Sequence, residues 1–201
     1  MAIILASASS ARQAVLKNAG LVVQSLPSGI YERAAEAPLL KSGAGAGDLA
    51  QALAMIKASH VSGQRPADLV IGADQTLEIG GERLTKPADM AAARRQLLKL
   101  AGKLHRLHSA LACCRGGAVV WQHMETATLT MRPLSPQEIG RYLARVGEPA
   151  LASVGAYQIE GLGIQLFERI EGDYFAILGL PLLPLLAFLR AQGEIEWQAL
   201  Q

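Results

Sequence analysis

ADLVIGADQTLEIGGERL, residues 67–84, decides the fold class. Within it, residues 69–73 form a short continuous apolar run, the pattern of a strand buried on both faces. Gly80-Gly81 suits the turn of a hairpin. A strand buried on both faces calls for helices above and below it, whereas a hairpin supplies an antiparallel neighbour. The stretch therefore predicts an α/β fold with a mixed twisted sheet flanked by helices, not a purely parallel one.

Towards the N-terminus, AIILA (2–6) has the same buried-strand character. SASSAR (7–12) follows, then a helical pattern through Ala14, Val15, Leu16 and Ala19 that stops at Gly20. LVVQSL (21–26) reads as a strand. KSGAGAGD (41–48) leads into a helix over 49–61, with Asp48 as the expected N-cap. Towards the C-terminus, ADMAAARRQLLKLAG (88–102) is a helix with Asp89 near its start and Gly102 at its end. Residues 104–131 alternate around Gly116-Gly117 and predict antiparallel strands. SPQEIGRYLARVG (135–147) carries a capping box, Ser135 with Glu138, and Pro136 at the first helical position. A last strand, a helix and a charged tail are expected after it. FAILGLPLLPLLAFL (175–189) is shorter than the roughly 20 residues a bilayer span needs and contains Pro181 and Pro184. It reads as a buried strand running into a core helix, so no membrane partner is expected.

The 201 residues fit one domain over 1–201, with room for two lobes around a central cleft. A hydrophobic fraction of 51% with 18% charged residues excludes a disordered chain. The net charge of +2 announces no nucleic-acid surface. Adjacent Cys113 and Cys114 point to opposite faces of a strand and are expected to be packing thiols of a reducing compartment. MAIILASASS lacks the basic start and long apolar core of a secretory signal, so the expected location is cytoplasmic. The oligomeric state is open, a homodimer included.

Four segments have the means for chemistry. In SASSAR, Ser7, Ser9 and Ser10 can offer hydroxyls at a helix N-terminus, whose amides and dipole favour an anion, and Arg12 can fork around phosphate oxygens. A serine-capped helix with a surface arginine is the plainer reading. Asp74 is expected at the exposed end of the buried strand, where open α/β sheets place ligands, suited to magnesium or to a proton from water; a loop-capping turn residue would look the same. Lys86, fixed ahead of Pro87, can hold one positive charge in place, or simply be solvated. Glu160 lies in an exposed turn among the glycines of GAYQIEGLGIQLFERIEGDYFAILGLP (155–181). His60, His105, His108 and His123 have no metal-ligand spacing.

The order of IILASASSAR, IYE (30–32), GADQT, TKP, GAYQIEGLG and GDY ahead of GLPL resembles the Maf nucleotide pyrophosphatases, from residue 3 to about 190. The resemblance implies a Maf/inosine-triphosphate-pyrophosphatase-like fold, magnesium or manganese as cofactor, and hydrolysis of a nucleoside triphosphate to monophosphate and pyrophosphate. It places the catalytic base on Asp74 and the phosphate loop on Ser7, Ser9 and Arg12. It places further phosphate-binding lysines on Lys57 and Lys86, and metal ligands on Glu32 and Asp74. The alternative it leaves is a nucleotide-binding regulator of cell division without turnover, which would need no Asp74.

Three departures stand out. The family's usual Pro-Arg-Arg is Ser10, Ala11, Arg12 and Gln13 here, one cation fewer. Its usual GKP glycine is Thr85, and its acidic pair is Tyr31-Glu32. Base choice is implied at positions 11, 75 and 160: Gln75 and Glu160 look like the branch that cleaves 7-methylguanosine triphosphate. Ala11 stands where that branch usually has Trp.

Overall fold

The computed structural model describes residues 1–196; the last residues of the charged tail lie outside the described part. Strand β3 (Leu69–Ile79) is the spine of a seven-stranded sheet. Along one edge it runs antiparallel to β5 (Leu104–Arg115), pairing from Val70 to Glu78. Its other edge is shared. Strand β1 (Ile3–Leu5) lies parallel to residues 69–71, and β4 (Glu82–Leu84) lies antiparallel to residues 77–79. Among the described residues no strand pairs with 72–76 on that side. Outside β1 lies β2 (Val23–Ser25), and beyond β5 come β6 (Ala118–Met131) and β7 (Phe167–Glu171). The two predicted hairpin turns are present, and the sheet is mixed as expected.

The expectation that the strand stops at residue 73 is corrected. Asp74 is mid-strand, because β5 keeps pairing with β3 after β1 has ended. The continuous apolar run ends two residues past the parallel pairing, which is not where the strand ends.

Period-two alternation distributes β3 between two layers. Leu69, Ile71 and Ala73 face a cluster with Val15 and Leu16 of α1 (Ser10–Asn18) and Leu185 and Leu189 of α7 (Leu182–Ala191). Further along the same face, Leu77 and Ile79 join a second cluster with α4 (Met90–Leu100) and α5 (Pro136–Val146). Val70 faces the opposite layer, the alanines of α3 (Ala46–Gln64).

Helix α3 starts three residues earlier than its sequence suggests. Gly45 is the N-cap, and Asp48, expected there, instead accepts the Gly45 N–H at 3.3 Å. Helix α2 (Glu32–Lys41) was not legible in the sequence; it has no buried residue and packs chiefly against α3. The buried strand expected at 175 onward is corrected too. Asp173 caps a single helical turn, α6 (Tyr174–Ile177), and Gly179 (φ +86°) redirects the chain into α7. Among the described residues no helix is long and apolar enough to cross a membrane.

Candidate active site

The unpaired edge of β3 opens onto a cleft of about 690 Å³, lined by the first turn of α1, by α2, by the end of β4 and by residues 152–160. Asp74 points from β3 towards α3, and Lys57 of α3 meets it: Nζ lies 2.6 Å from Asp74 Oδ1 and 2.7 Å from Glu32 Oε1. Lys57 and Asp74 are buried, whereas the Glu32 side chain is half exposed. Burial holds the Asp74 carboxyl above its ordinary range; Lys57 and Arg12 oppose that rise, and Glu32 adds to it. A buried carboxylate bonded to one ammonium through a single oxygen keeps the other, Oδ2, without a partner among the described residues.

Arg12 closes the gap beside Asp74. Its Nη1 donates to the Ala73 carbonyl at 2.9 Å, the group a neighbouring strand would otherwise satisfy, and to Ser7 Oγ at 3.2 Å. Its Nε donates to the Gly179 carbonyl at 2.9 Å. A buried carbonyl without a partner would be costly, so these bonds are structural. Nη2 has no partner among the described residues, so the expected fork around phosphate narrows to one nitrogen. Burial pulls the guanidinium pKa down, while Asp74 and Glu32 push it up.

Ser7 and Ser9 are engaged as well. Ser9 caps α1, its side chain accepting the Arg12 N–H at 3.4 Å, and Ser7 Oγ accepts the Ser9 N–H at 3.2 Å. The plainer capping reading is thus present, and it leaves the first turn of α1 lining the cleft with helix-end amides that no intrahelical carbonyl can satisfy. Lys86 is exposed at the cleft wall. Partial burial, then Arg12, lowers its pKa, and Glu32 works the other way.

Gln75 alternates to the opposite face from Asp74, between the two apolar clusters. Its Nε2 lies 2.8 Å from Ser109 Oγ and 3.1 and 3.0 Å from the carbonyls of Ala176 and Ile177. Glu160, exposed, and Ala11 also line the cleft. Among the described aromatic residues only Tyr157 does, and its hydroxyl is 2.8 Å from His105 Nε2. His105 is a core residue. Cys113 and Cys114 are free, buried thiols whose pKa values burial raises.

Every residue expected to serve catalysis, phosphate, metal or base lines this one cleft. Sequence reasoning missed Glu36 and Arg83, which line it too. The signal available was Glu32 and Glu36 one helical turn apart.

A split sheet holding a buried carboxylate beside cations and a free helix N-terminus defines an α/β protein suited to a polyanion. The chain belongs to the Maf family: the family model described as Maf-like protein matches residues 2–192. A 7-methyl-GTP pyrophosphatase of Mesorhizobium japonicum is 59% identical over 194 residues, 96% of this chain and 98% of that one. A nucleoside triphosphate pyrophosphatase of Rhodopseudomonas palustris is 55% identical over 192 residues, 95% and 94% of the two chains. Among solved structures, a nucleoside-triphosphatase, or dITP/XTP pyrophosphatase, from Mycobacterium abscessus matches 96% of each chain at 16% identity and a TM-score of 0.42.

Proposed function

We propose that this chain is a nucleoside triphosphate pyrophosphatase, a hydrolase that cuts its substrate to the monophosphate and pyrophosphate. The observation that carries the reading is the Asp74–Lys57 pair, buried at the unpaired edge of β3 and opening onto a cation-bearing cleft. Relatives with pyrophosphatase names, matched over nearly full length, support turnover over a silent regulatory role.

Each residue has a role in that reaction. Asp74 Oδ2 orients, or takes a proton from, the water that attacks the α-phosphorus. Lys57 holds the Asp74 carboxylate in place and ties it to Glu32. Arg12 Nη2, Lys86 and the first amides of α1 neutralise the phosphates that leave. Ser7 steers Arg12, and Ser9 fixes the helix end.

The donor set suits a hard divalent ion. Lys57 and Arg12 balance the charge of the two carboxylates, whose oxygens are the hard donors on offer, and among the described residues no cluster of three histidine, cysteine or acidic side chains forms around them. Magnesium or manganese held by Glu32 and Asp74 would take its other ligands from phosphate and water, and would supply charge neutralisation at the scissile anhydride.

Base choice falls to Gln75, Glu160 and Ala11. Guanine, with or without a 7-methyl group, offers N–H donors that Glu160 can accept. We read residues 1–201 as a single catalytic unit, and two reduced thiols fit a cytoplasmic setting.

The experiment is pyrophosphate release from a panel of nucleoside triphosphates with magnesium in ¹⁸O-water. Attack at the α-phosphorus puts the label in the monophosphate. Labelled pyrophosphate, or an accumulating diphosphate, would show that Asp74 is aimed elsewhere, and no release at all would return the regulatory reading.

A further inference from the structure

Helix α2 occupies the cleft mouth without the usual means of staying there. A surface helix ordinarily keeps its place by burying an apolar stripe. None of the ten residues of α2 is buried, only Ala35, Glu36 and Leu39 are partly covered, and Pro38 interrupts its hydrogen bonding. So thin a contact leaves much of its positioning to side-chain anchors. Two are present, on Glu32 and Glu36, which share one side of the helix at i and i+4.

Glu32 reaches Lys57 on α3. Glu36 accepts both terminal nitrogens of Arg83 on β4: Nη1 to Oε1 at 3.1 Å and Nη2 to Oε2 at 2.8 Å. Such a two-bond fork fixes orientation as well as distance. The two side chains are only 22% and 14% exposed, so water screens this pair less than an ordinary surface bridge. Arg83 is three residues before Lys86. The pair thus ties the helix that carries Glu32 to the segment that carries Lys86, across the opening of the cleft.

We propose that Glu36–Arg83 is a positioning clamp that seats α2 over the cleft mouth and so brings Glu32 to Lys57 and Asp74. The proposal rests on the reading of Glu32 and Asp74 as site residues. Arg83 is not a substrate ligand in this arrangement. Both of its terminal nitrogens are committed to Glu36, whereas Arg12 keeps Nη2 free.

The test is a double-mutant cycle on the full chain, Glu36→Gln, Arg83→Met and both together, with Glu32→Gln for comparison. Steady-state kinetics is measured on a cleaved triphosphate, and amide exchange over residues 32–41 is followed without substrate. Each single clamp variant should lower kcat about tenfold with a smaller change in KM, and the double variant should fall no further than either single, as coupled pairs do. Exchange over 32–41 should quicken in all three clamp variants by the same factor. Unchanged kcat in both singles would overturn the clamp, as would loss in Arg83→Met alone, which would make Arg83 a direct substrate ligand. Glu32→Gln distinguishes the two levels. Loss there with full activity in the clamp variants removes the clamp only, whereas full activity in Glu32→Gln removes the reading of Glu32 beneath it. Exchange reports on the clamp even if the wild type releases no pyrophosphate.

Discussion

A β-carbon added to Gly72 would stand 2.1 Å from the Ala54 carbonyl oxygen and 2.8 Å from the Ala58 Cβ. Strand β3 and helix α3 are thus in backbone contact two residues before Asp74 and three before Lys57. The contact lies beside that pair, whose separation is 2.6 Å.

Gly72→Ala should therefore lower stability by about 3 kcal/mol, near the upper end for overpacking, because backbone and not a pliant side chain is in the way. Turnover should fall further than the unfolded fraction accounts for, since α3 must move away with Lys57. Denaturant melts beside kcat check both; wild-type stability would show that α3 is not seated on the glycine.

Asp74→Asn should lower kcat by about a hundredfold or more while nucleotide binding survives. In the metal-free protein the Asp74 carboxyl should titrate above the ordinary carboxylate value of 3.8, because burial disfavours the anion. Its sign for stability follows. The raised folded pKa favours the protonated form, so this contribution is full below 3.8 and is lost as pH rises through the folded value. The wild type minus Asp74→Asn difference in unfolding free energy should fall with pH across that window. A flat difference would mean that Asp74 titrates as a solvated group.

With Arg12 and Lys86 reading phosphate charge as proposed, Arg12→Ala and Lys86→Ala should each slow turnover on every triphosphate alike. They should differ in stability. Arg12→Ala strands the Ala73 and Gly179 carbonyls and should cost about 1–3 kcal/mol, whereas exposed Lys86→Ala should be near neutral. Thermal melts separate the two, and a change of base preference in either would show that the phosphate end is misplaced.

Glu160→Gln should cost about 1–3 kcal/mol in kcat/KM for a guanine substrate and less for uridine triphosphate, which lacks the paired N–H donors. Equal losses on both would remove Glu160 from the base pocket.

His105 bears on acid stability. Burial depresses its pKa to about 4, so its contribution is present above the ordinary 6.5 and is lost as pH falls towards 4. A shift of that size is on the order of 3 kcal/mol. His105→Gln should flatten the melting profile between those limits, and an unchanged slope would put the acid sensitivity elsewhere.

Much of this was legible because the signals are local. The alternation of β5 and β6, the capping box at Ser135 and Glu138, and the apolar runs of β1 and β3 each fit in a short window. What was misread depends on distant partners. The length of β3 is set by β5, some 35 positions on, and the commitment of Arg12 to Gly179 spans 167 residues. Gln75 was expected to help set base choice, and that α6 carbonyls hold its nitrogen is likewise something its neighbourhood in sequence cannot reveal. Helix α2 buries none of its residues, so its pattern carried little signal.

Asp74 and Gln75 are neighbours in sequence that serve opposite layers, one towards α3 and the other towards α6. With Gln75 setting base choice as proposed, the pleat of a single strand would put that trait one residue from the Asp74–Lys57 pair yet across the sheet from it. Substitutions on the α6 side would then reach the base without repacking α3. Arg12, bonded to the Gly179 carbonyl just past α6, is where the two sides still meet.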